Sequence, residues 1–334
     1  MTEIQQIRAL LNTPKEVVIL SHRNPDGDAI GSSLGLAHLL KKLRHVVTVI
    51  LPSECPTNFK YLPGFEDVLI FDLYQDEARK KVDEAKLIFC LDFNALDRID
   101  KLGEHVQFSK ADKIMIDHHL DPEPFAEFII SDITASSTSE LIYCFIRDLG
   151  MEHLLDETIG SCIFTGIITD TGSFKYSTRS LTYEAAAALK AKNVDDYGIQ
   201  NNIYNSLKEK HLRLLGHCLA NRMEVFEEYG AAMIHLTKQD YKDFNIQRGD
   251  TEGIVNYMLM MENIQIAAFI MEQPSIVKIS LRSKGDIDVQ QIASRNFNGG
   301  GHKNASGGSA YAKLEDVLDR FRKLVPGFLA PVHK

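Results

Sequence analysis

The sequence predicts an α/β protein: a mostly parallel β-sheet with helices on both faces, then a helical linker and a smaller α/β domain. Three observations lead there. The chain has 334 residues, more than one hydrophobic core usually organises. In the first half, short apolar runs alternate with stretches of helical periodicity. From about 182 to 221 the pattern turns almost wholly helical, after which the alternation resumes. The expected division is therefore 1–190, a linker over 191–222, and 223–334.

Taken in order, 17–21 is a β-branched run ending in polar residues, and 30–43 has helical periodicity with Lys41 and Lys42 near its end. The stretches 46–51, 68–71, 87–92, 113–117 and 128–131 read as strands, and 76–83, 138–149 and 156–168 as helices. Beyond the helical stretch, strands are expected at 222–227, 230–235, 264–271 and 276–282, the last two joined by a turn at Gln273-Pro274-Ser275. Helices follow at 289–297 and 314–324. The glycine-rich run 299–308 reads as a loop before a strand at 309–312.

Composition narrows the function. With 44% hydrophobic and 25% charged residues the balance is that of a water-soluble globular protein. A net charge of −9 argues against gripping long nucleic acid through many phosphates, but bound cations could still reverse the sign of a carboxylate cluster locally. The five cysteines are odd in number and form no C-x-x-C pair, which suits free thiols in a reducing cytoplasm. The first twenty residues lack the pattern of a secretory signal, and no window approaches the roughly 20 apolar residues of a membrane span. A cytoplasmic protein without membrane attachment is expected.

Four clusters carry candidate chemistry. Ser21-His22-Arg23-Asn24-Pro25-Asp26-Gly27-Asp28 follows the first strand, and its Pro25 and Gly27 can turn the chain so that an imidazole and two carboxylates converge. Asp92 ends an apolar run, Asp117-His118-His119 ends another, and Asp170 stands where a helical run meets a glycine turn. Each alone also reads as a helix cap or loop residue. Together they place five aspartates and three histidines where one sheet edge can gather them, with no matching lysine or arginine pairs. So many carboxylates in one cleft would repel each other and protonate unless cations were present. Mixed imidazole and carboxylate donors suit Mn2+, Fe2+, Co2+ or Zn2+ better than Ca2+, and the number of donors suits two ions.

On these residues the chain resembles the DHH phosphoesterases. SHRNPDGDAIGS, LDF, IDHH and TGIITDTGSF are similar to the family's four motifs, in the family's order, and GGGHKNASGG resembles the glycine-rich signature of the associated DHHA1 domain. The resemblance implies a metal pair, usually Mn2+. His22 and Asp26 would hold one ion, Asp28, His118 and Asp170 the other, and Asp92 would bridge them. It implies that Asp117 orients the imidazoles and that His119 meets the substrate phosphate. Two cations can bring the pKa of water toward about 7 for in-line attack on phosphorus, so no serine or cysteine nucleophile is required.

In the glycine-rich run, Gly299, Gly300 and Gly301 can point backbone N–H groups at one anion, and His302, Lys303, Asn304 and Ser306 add donors. Arg282 ends a predicted strand that can lie beside them. The resemblance implies that this domain grips the far end of the substrate, across a cleft from the metals, which favours short ligands. The expected substrates are short RNA oligonucleotides and linear dinucleotides, cleaved to nucleoside 5′-monophosphates, with 3′-phosphoadenosine 5′-phosphate (pAp) as a further one. An inorganic pyrophosphatase-like hydrolase and a nucleotide-binding sensor without turnover are the alternatives. The glycine-rich run counts against the first, and the intact ligand set against the second. Relatives are often dimers, and the helical stretch 182–221 offers either an interface or a face packed on its own domain.

Overall fold

The computed structural model describes residues 2–205, 207–247 and 249–327, which fall into two compact units divided after residue 206. Residues 328–334 of the expected C-terminal domain and Ser206 of the expected linker lie outside the described residues.

The first unit runs α1 (Glu3–Leu11), β1 (Glu16–Leu20), α2 (Gly27–Lys42), β2 (Val46–Leu51), β3 (Leu69–Ile70), α3 (Gln75–Glu84), β4 (Leu87–Leu91), α4 (Leu102–Phe108), β5 (Asp112–Asp117), β6 (Phe128–Ser131), α5 (Thr138–Asp148), α6 (Glu157–Asp170), α7 (Ser180–Lys190) and α8 (Asp196–Tyr204). Its strands form one parallel sheet in the order β3-β2-β1-β4-β5-β6. Alternate strand residues feed two cores. Val17, Ile19, Phe89 and Ile116 face α2, α5 and α6, while Val18, Leu20, Cys90 and Met115 face α3 and α4. The near-continuous apolar runs seen in the sequence follow from this burial on both faces. Chain order diverges between β1 and β4, and that switch point is where a doubly wound sheet opens a crevice for ligands.

The second unit comprises α9 (Glu209–Asn221), β7 (Met223–Phe226), β8 (Ala231–Leu236), α10 (Lys238–Asp243), α11 (Ile254–Met258), β9 (Ile266–Glu272), β10 (Val277–Ser283), α12 (Val289–Asn296), β11 (Gly300–His302), β12 (Ala305–Ala310) and α13 (Leu314–Leu324). Its mixed sheet has the order β11-β12-β10-β9-β8-β7, antiparallel except for β8 against β9. One face packs on α12 and α13 and the other on α9 and α11. The helical stretch thus divides, α8 going to the first unit and α9 to the second.

The glycine-rich run differs from expectation. It is a β-hairpin, β11 and β12, and the strand expected at 309–312 lies instead at 305–310. Glycine has poor strand propensity, but β12 pairs with β10 from Val277 to Arg282 and the ladder supplies what propensity does not. Four cysteines are buried, Cys55 is partly so, and all five are free. Among the described residues no helix is long and apolar enough to cross a membrane.

Candidate metal centre

Three neighbouring strands deliver the site. β1, β4 and β5 end at Leu20, Leu91 and Asp117, so His22, Asp92 and the pair His118-His119 leave the sheet at its carboxyl edge. Asp92 adopts φ +63°, a left-handed conformation that aspartate tolerates better than most side chains. Such strain immediately after a strand is a mark of functional positions.

The remaining carboxylates come from two helices. Asp26 caps α2, its Oδ1 accepting from the N–H groups of Asp28 and Ala29, both at 3.0 Å. The capping reading and the ligand reading of this residue are therefore compatible. Asp28 stands on the first turn of α2 and Asp170 is the last residue of α6. The two helices approach closely through glycine. A Cβ on Gly31 would lie 2.6 Å from the Cys162 carbonyl, and one on Gly166 would lie 1.9 Å from Ser139 Oγ and 2.7 Å from Asp28 Oδ1.

Side chains from all four sequence clusters meet. His22 Nε2 lies 3.3 Å from Asp92 Oδ2 and 3.9 Å from Asp26 Oδ1. His118 Nε2 lies 3.3 Å from Asp170 Oδ2, 3.6 Å from Asp92 Oδ1 and 4.0 Å from Asp28 Oδ2. Asp92 thus turns one oxygen toward His22 and the other toward His118. Donor atoms of His22, Asp26 and Asp92 lie within 4.8 Å of one another, as do those of Asp28, His118 and Asp170, and those of Asp92, His118 and His119. His119 is also tied to Asp117, its Nδ1 donating to Oδ1 at 2.8 Å and its backbone N–H to Oδ2 at 3.1 Å.

The electrostatics fit a cation. Burial, then the charges of neighbouring carboxylates, push Asp92 and Asp170 well above the ordinary carboxylate range. Burial likewise raises Asp28, against the opposing pull of His118. Among the described residues no lysine or arginine forms an ion pair with Asp26, Asp28, Asp92, Asp117 or Asp170. Burial alone would lower His119, but the Asp117 hydrogen bond and the Asp92 charge outweigh it and hold the ring above its usual value. Protein cations do not compensate these acids, and the imidazole and carboxylate donor set suits a divalent metal.

Sequence reading missed the groups that hold Asp28. The N–H of Thr138 donates to Oδ2 at 2.6 Å and that of Ser139 to Oδ1 at 2.8 Å, so the N-terminus of α5 grips the whole carboxylate. Thr138 Oγ1 donates to Asp92 Oδ1 at 3.1 Å. The signal was present in Ser137-Thr138-Ser139-Glu140, the spacing of a helix cap, with Ser137 capping Glu140.

The second unit holds the other candidate residues. Arg282 sits on β10 opposite Ala305 of β12. Burial depresses its guanidinium, with only Glu252 opposing, and among the described residues no carboxylate comes within ion-pair range. Gly300, Gly301 and His302 form the exposed edge strand β11. Gly301 requires its φ of +137°, and a Cβ on Gly299 would lie 2.0 Å from the Gly307 carbonyl. Gly300 faces open space, so the fold does not demand glycine there. Asn304 and Ser306 turn inward. Asn304 Nδ2 donates to Ser283 Oγ at 2.9 Å and to the Gly285 carbonyl at 3.0 Å, and buried Ser306 donates to the His302 carbonyl at 2.8 Å.

Residues 16–167 match the N-terminal domain of the DHH family, and residues 230–330 match the DHHA1 domain. A Streptococcus mutans protein, the probable bifunctional oligoribonuclease and PAP phosphatase NrnA, is 28% identical, over 97% of this chain and 100% of its own. Bacillus subtilis NrnA is also 28% identical, over 93% of each chain. The crystal structure of an exopolyphosphatase-related protein from Bacteroides fragilis superposes with a TM-score of 0.96 at 42% identity, covering 98% of this chain and 96% of that one.

Proposed function

The chain belongs to the DHH family, with a DHHA1 domain in its second half, and from that premise we propose that it is an Mn2+-dependent hydrolase of short oligoribonucleotides and linear dinucleotides that also removes phosphate from pAp. The observation that carries this reading is Asp92, one carboxylate with an oxygen turned toward each of two aspartate and histidine clusters. Similarity to the NrnA proteins along nearly the whole chain supports the substrate class.

His22, Asp26 and Asp92 would hold one cation, and Asp28, His118, Asp170 and the same Asp92 the other. Bound there, the two ions supply Lewis acidity to phosphoryl oxygens and acidify water toward neutral pH. The protein's own groups do the rest. His22 commits Nδ1–H to the Arg23 carbonyl at 2.9 Å, because a carbonyl can only accept, and this leaves the Nε2 lone pair facing Asp92. Asp117 fixes the His119 ring through Nδ1, so the contact His119 offers a phosphoryl oxygen is made at Nε2. Arg282, His302 and the β11 backbone are the proposed anion-binding groups of the second unit. Among the described residues no carboxylate pairs with Arg282, whose Nη1 donates to the Leu281 carbonyl at 3.0 Å and whose other donors are of the kind that match phosphate.

The test is a product analysis with Mn2+ and, separately, the linear dinucleotide pApA, pAp, pyrophosphate and polyphosphate. AMP from pApA is expected. Turnover of pyrophosphate or polyphosphate alone would replace this reading with that of a phosphoanhydride hydrolase. Binding without products would make the chain a sensor. Arg282→Ala is expected to lower kcat/KM on pApA about 10- to 100-fold, the worth of a charge-assisted hydrogen bond of about 1.5–3 kcal/mol. Cleavage of bis-p-nitrophenyl phosphate, which lacks a second nucleotide, should stay close to wild type. Equal losses on both substrates would assign Arg282 to the fold.

A further inference from the structure

Glu140 lies on the first turn of α5, fully buried, yet it belongs to none of the candidate metal clusters among the described residues. Its Oε1 accepts from Arg179 Nε at 2.5 Å, and its Oε2 accepts from Ser136 Oγ at 2.7 Å and Thr182 Oγ1 at 2.5 Å. The guanidinium reaches on to Asp132 Oδ2 and Thr134 Oγ1, both at 2.7 Å. The backbone N–H of Arg179 donates to Thr182 Oγ1 at 3.1 Å, which fastens the start of α7 to the same point. Residues 132–140 are thereby pinned at both ends to 179–182.

Between Ser136 and Glu140, which the hydrogen bond to Oε2 joins, lie three residues, Ser137, Thr138 and Ser139, all fully buried. Two of them supply the N–H groups that hold both oxygens of Asp28, and Thr138 also reaches Asp92. A buried ion pair is a weak device for stability, because apolar residues of similar volume often serve as well. What it does supply is directional restraint. Here the restrained object is the turn that aims Asp28 at His118 and Asp170.

We infer that the Glu140–Arg179 pair is a positioning device for the cation cluster of Asp28, His118 and Asp170. This rests on the reading of those residues as metal holders. Neither member of the pair is a ligand. The pair fixes the 136–139 turn, the turn fixes the rotation of the Asp28 carboxylate, and the carboxylate then presents its remaining lone pairs to the ion. Among the described residues neither His22 nor Asp26 has a hydrogen bond to this turn, which reaches their ion only through Asp92, so a defect in the pair falls unequally on the two ions. Glu140→Gln is the sharpest perturbation. It keeps shape, but it removes the charge that faces Arg179 and leaves a single oxygen where two accepted from Arg179, Ser136 and Thr182.

The experiment is equilibrium Mn2+ titration of the full chain by calorimetry and electron paramagnetic resonance, with the melting temperature of each metal-free variant measured alongside. The wild type should bind two ions. Glu140→Gln and Arg179→Lys, which keeps the charge but loses the fork, should each weaken one ion about 10- to 100-fold, the usual cost of disturbing groups that orient a metal ligand. The other ion should weaken clearly less, since the turn reaches its holders only through the Thr138 bond to Asp92 and not through the two N–H groups that grip Asp28. If both ions weaken equally in step with a lowered melting temperature, the pair supports the fold in general and the inference is wrong. Unchanged binding in both variants would refute it too, while leaving the metal reading intact. A wild type that takes up no Mn2+ would remove the metal reading and this inference together.

Discussion

Replacing Asp92 by asparagine is expected to lower hydrolysis of pApA about 10³-fold or more and to leave the chain unable to hold two cations. The size follows from geometry. Asp92 Oδ2 faces His22 at 3.3 Å and Oδ1 faces His118 at 3.6 Å, so asparagine leaves an oxygen for one cluster at most and removes the charge shared by both. Losing several kcal/mol of charge stabilisation at a phosphoryl group corresponds to a factor of that order, since about 1.4 kcal/mol is tenfold. Asparagine is the informative replacement because it tolerates the left-handed backbone at φ +63°. Alanine there adds a backbone penalty of about 1–2 kcal/mol and confuses loss of a ligand with loss of the turn. The paired measurement is metal content by elemental analysis and kcat on the same preparation. Normal turnover with two ions per chain would refute the bridging role.

His119→Ala is expected to behave in the opposite sense, keeping both ions while losing about 10²–10³ in rate, the usual cost of one charge-stabilising donor. Its Nδ1 is committed to Asp117 at 2.8 Å, and its distance of 3.8 Å from Asp92 places the ring beside the clusters. Donor atoms of His119, Asp92 and His118 nonetheless lie within 4.8 Å of one another, so ligation by His119 is the competing geometry. Metal content decides between them. A loss of metal equal to that of His118→Ala would make His119 a ligand.

Much of this arrangement could be read before the fold. Runs such as 87–92 and 113–117 announce strands buried on both faces, and an ionisable residue at the end of each announces a sheet edge with chemistry on it. Three things could not be read. Helix α2 begins at Gly27, three residues ahead of the apolar periodicity, because the Asp26 side chain caps it. Asp28 is therefore a helix residue held by another helix. The glycines at 27, 31 and 35 mark the face of α2 that touches α6, but only the partner helix shows that Gly31 meets a backbone carbonyl. The hairpin of β11 and β12 was hidden because glycine carries no strand signal of its own. In its place the structure separates roles that looked uniform: Gly300 and His302 are exposed, while Asn304 and Ser306 brace the surrounding loop and hairpin.

The central claim is that two cations, held by residues of all four sequence clusters, are required for phosphoester hydrolysis. The most direct test is to strip the full chain with chelator, confirm removal by elemental analysis, and titrate Mn2+ while following bound metal and AMP release from pApA together. The expected result is no turnover in the stripped chain and full activity only as occupancy approaches two ions per chain. Mn2+ should restore more activity than Mg2+, because imidazole donors favour the softer ion. Full turnover by the rigorously metal-free chain, or saturation of activity at one ion with no second uptake, would contradict the account.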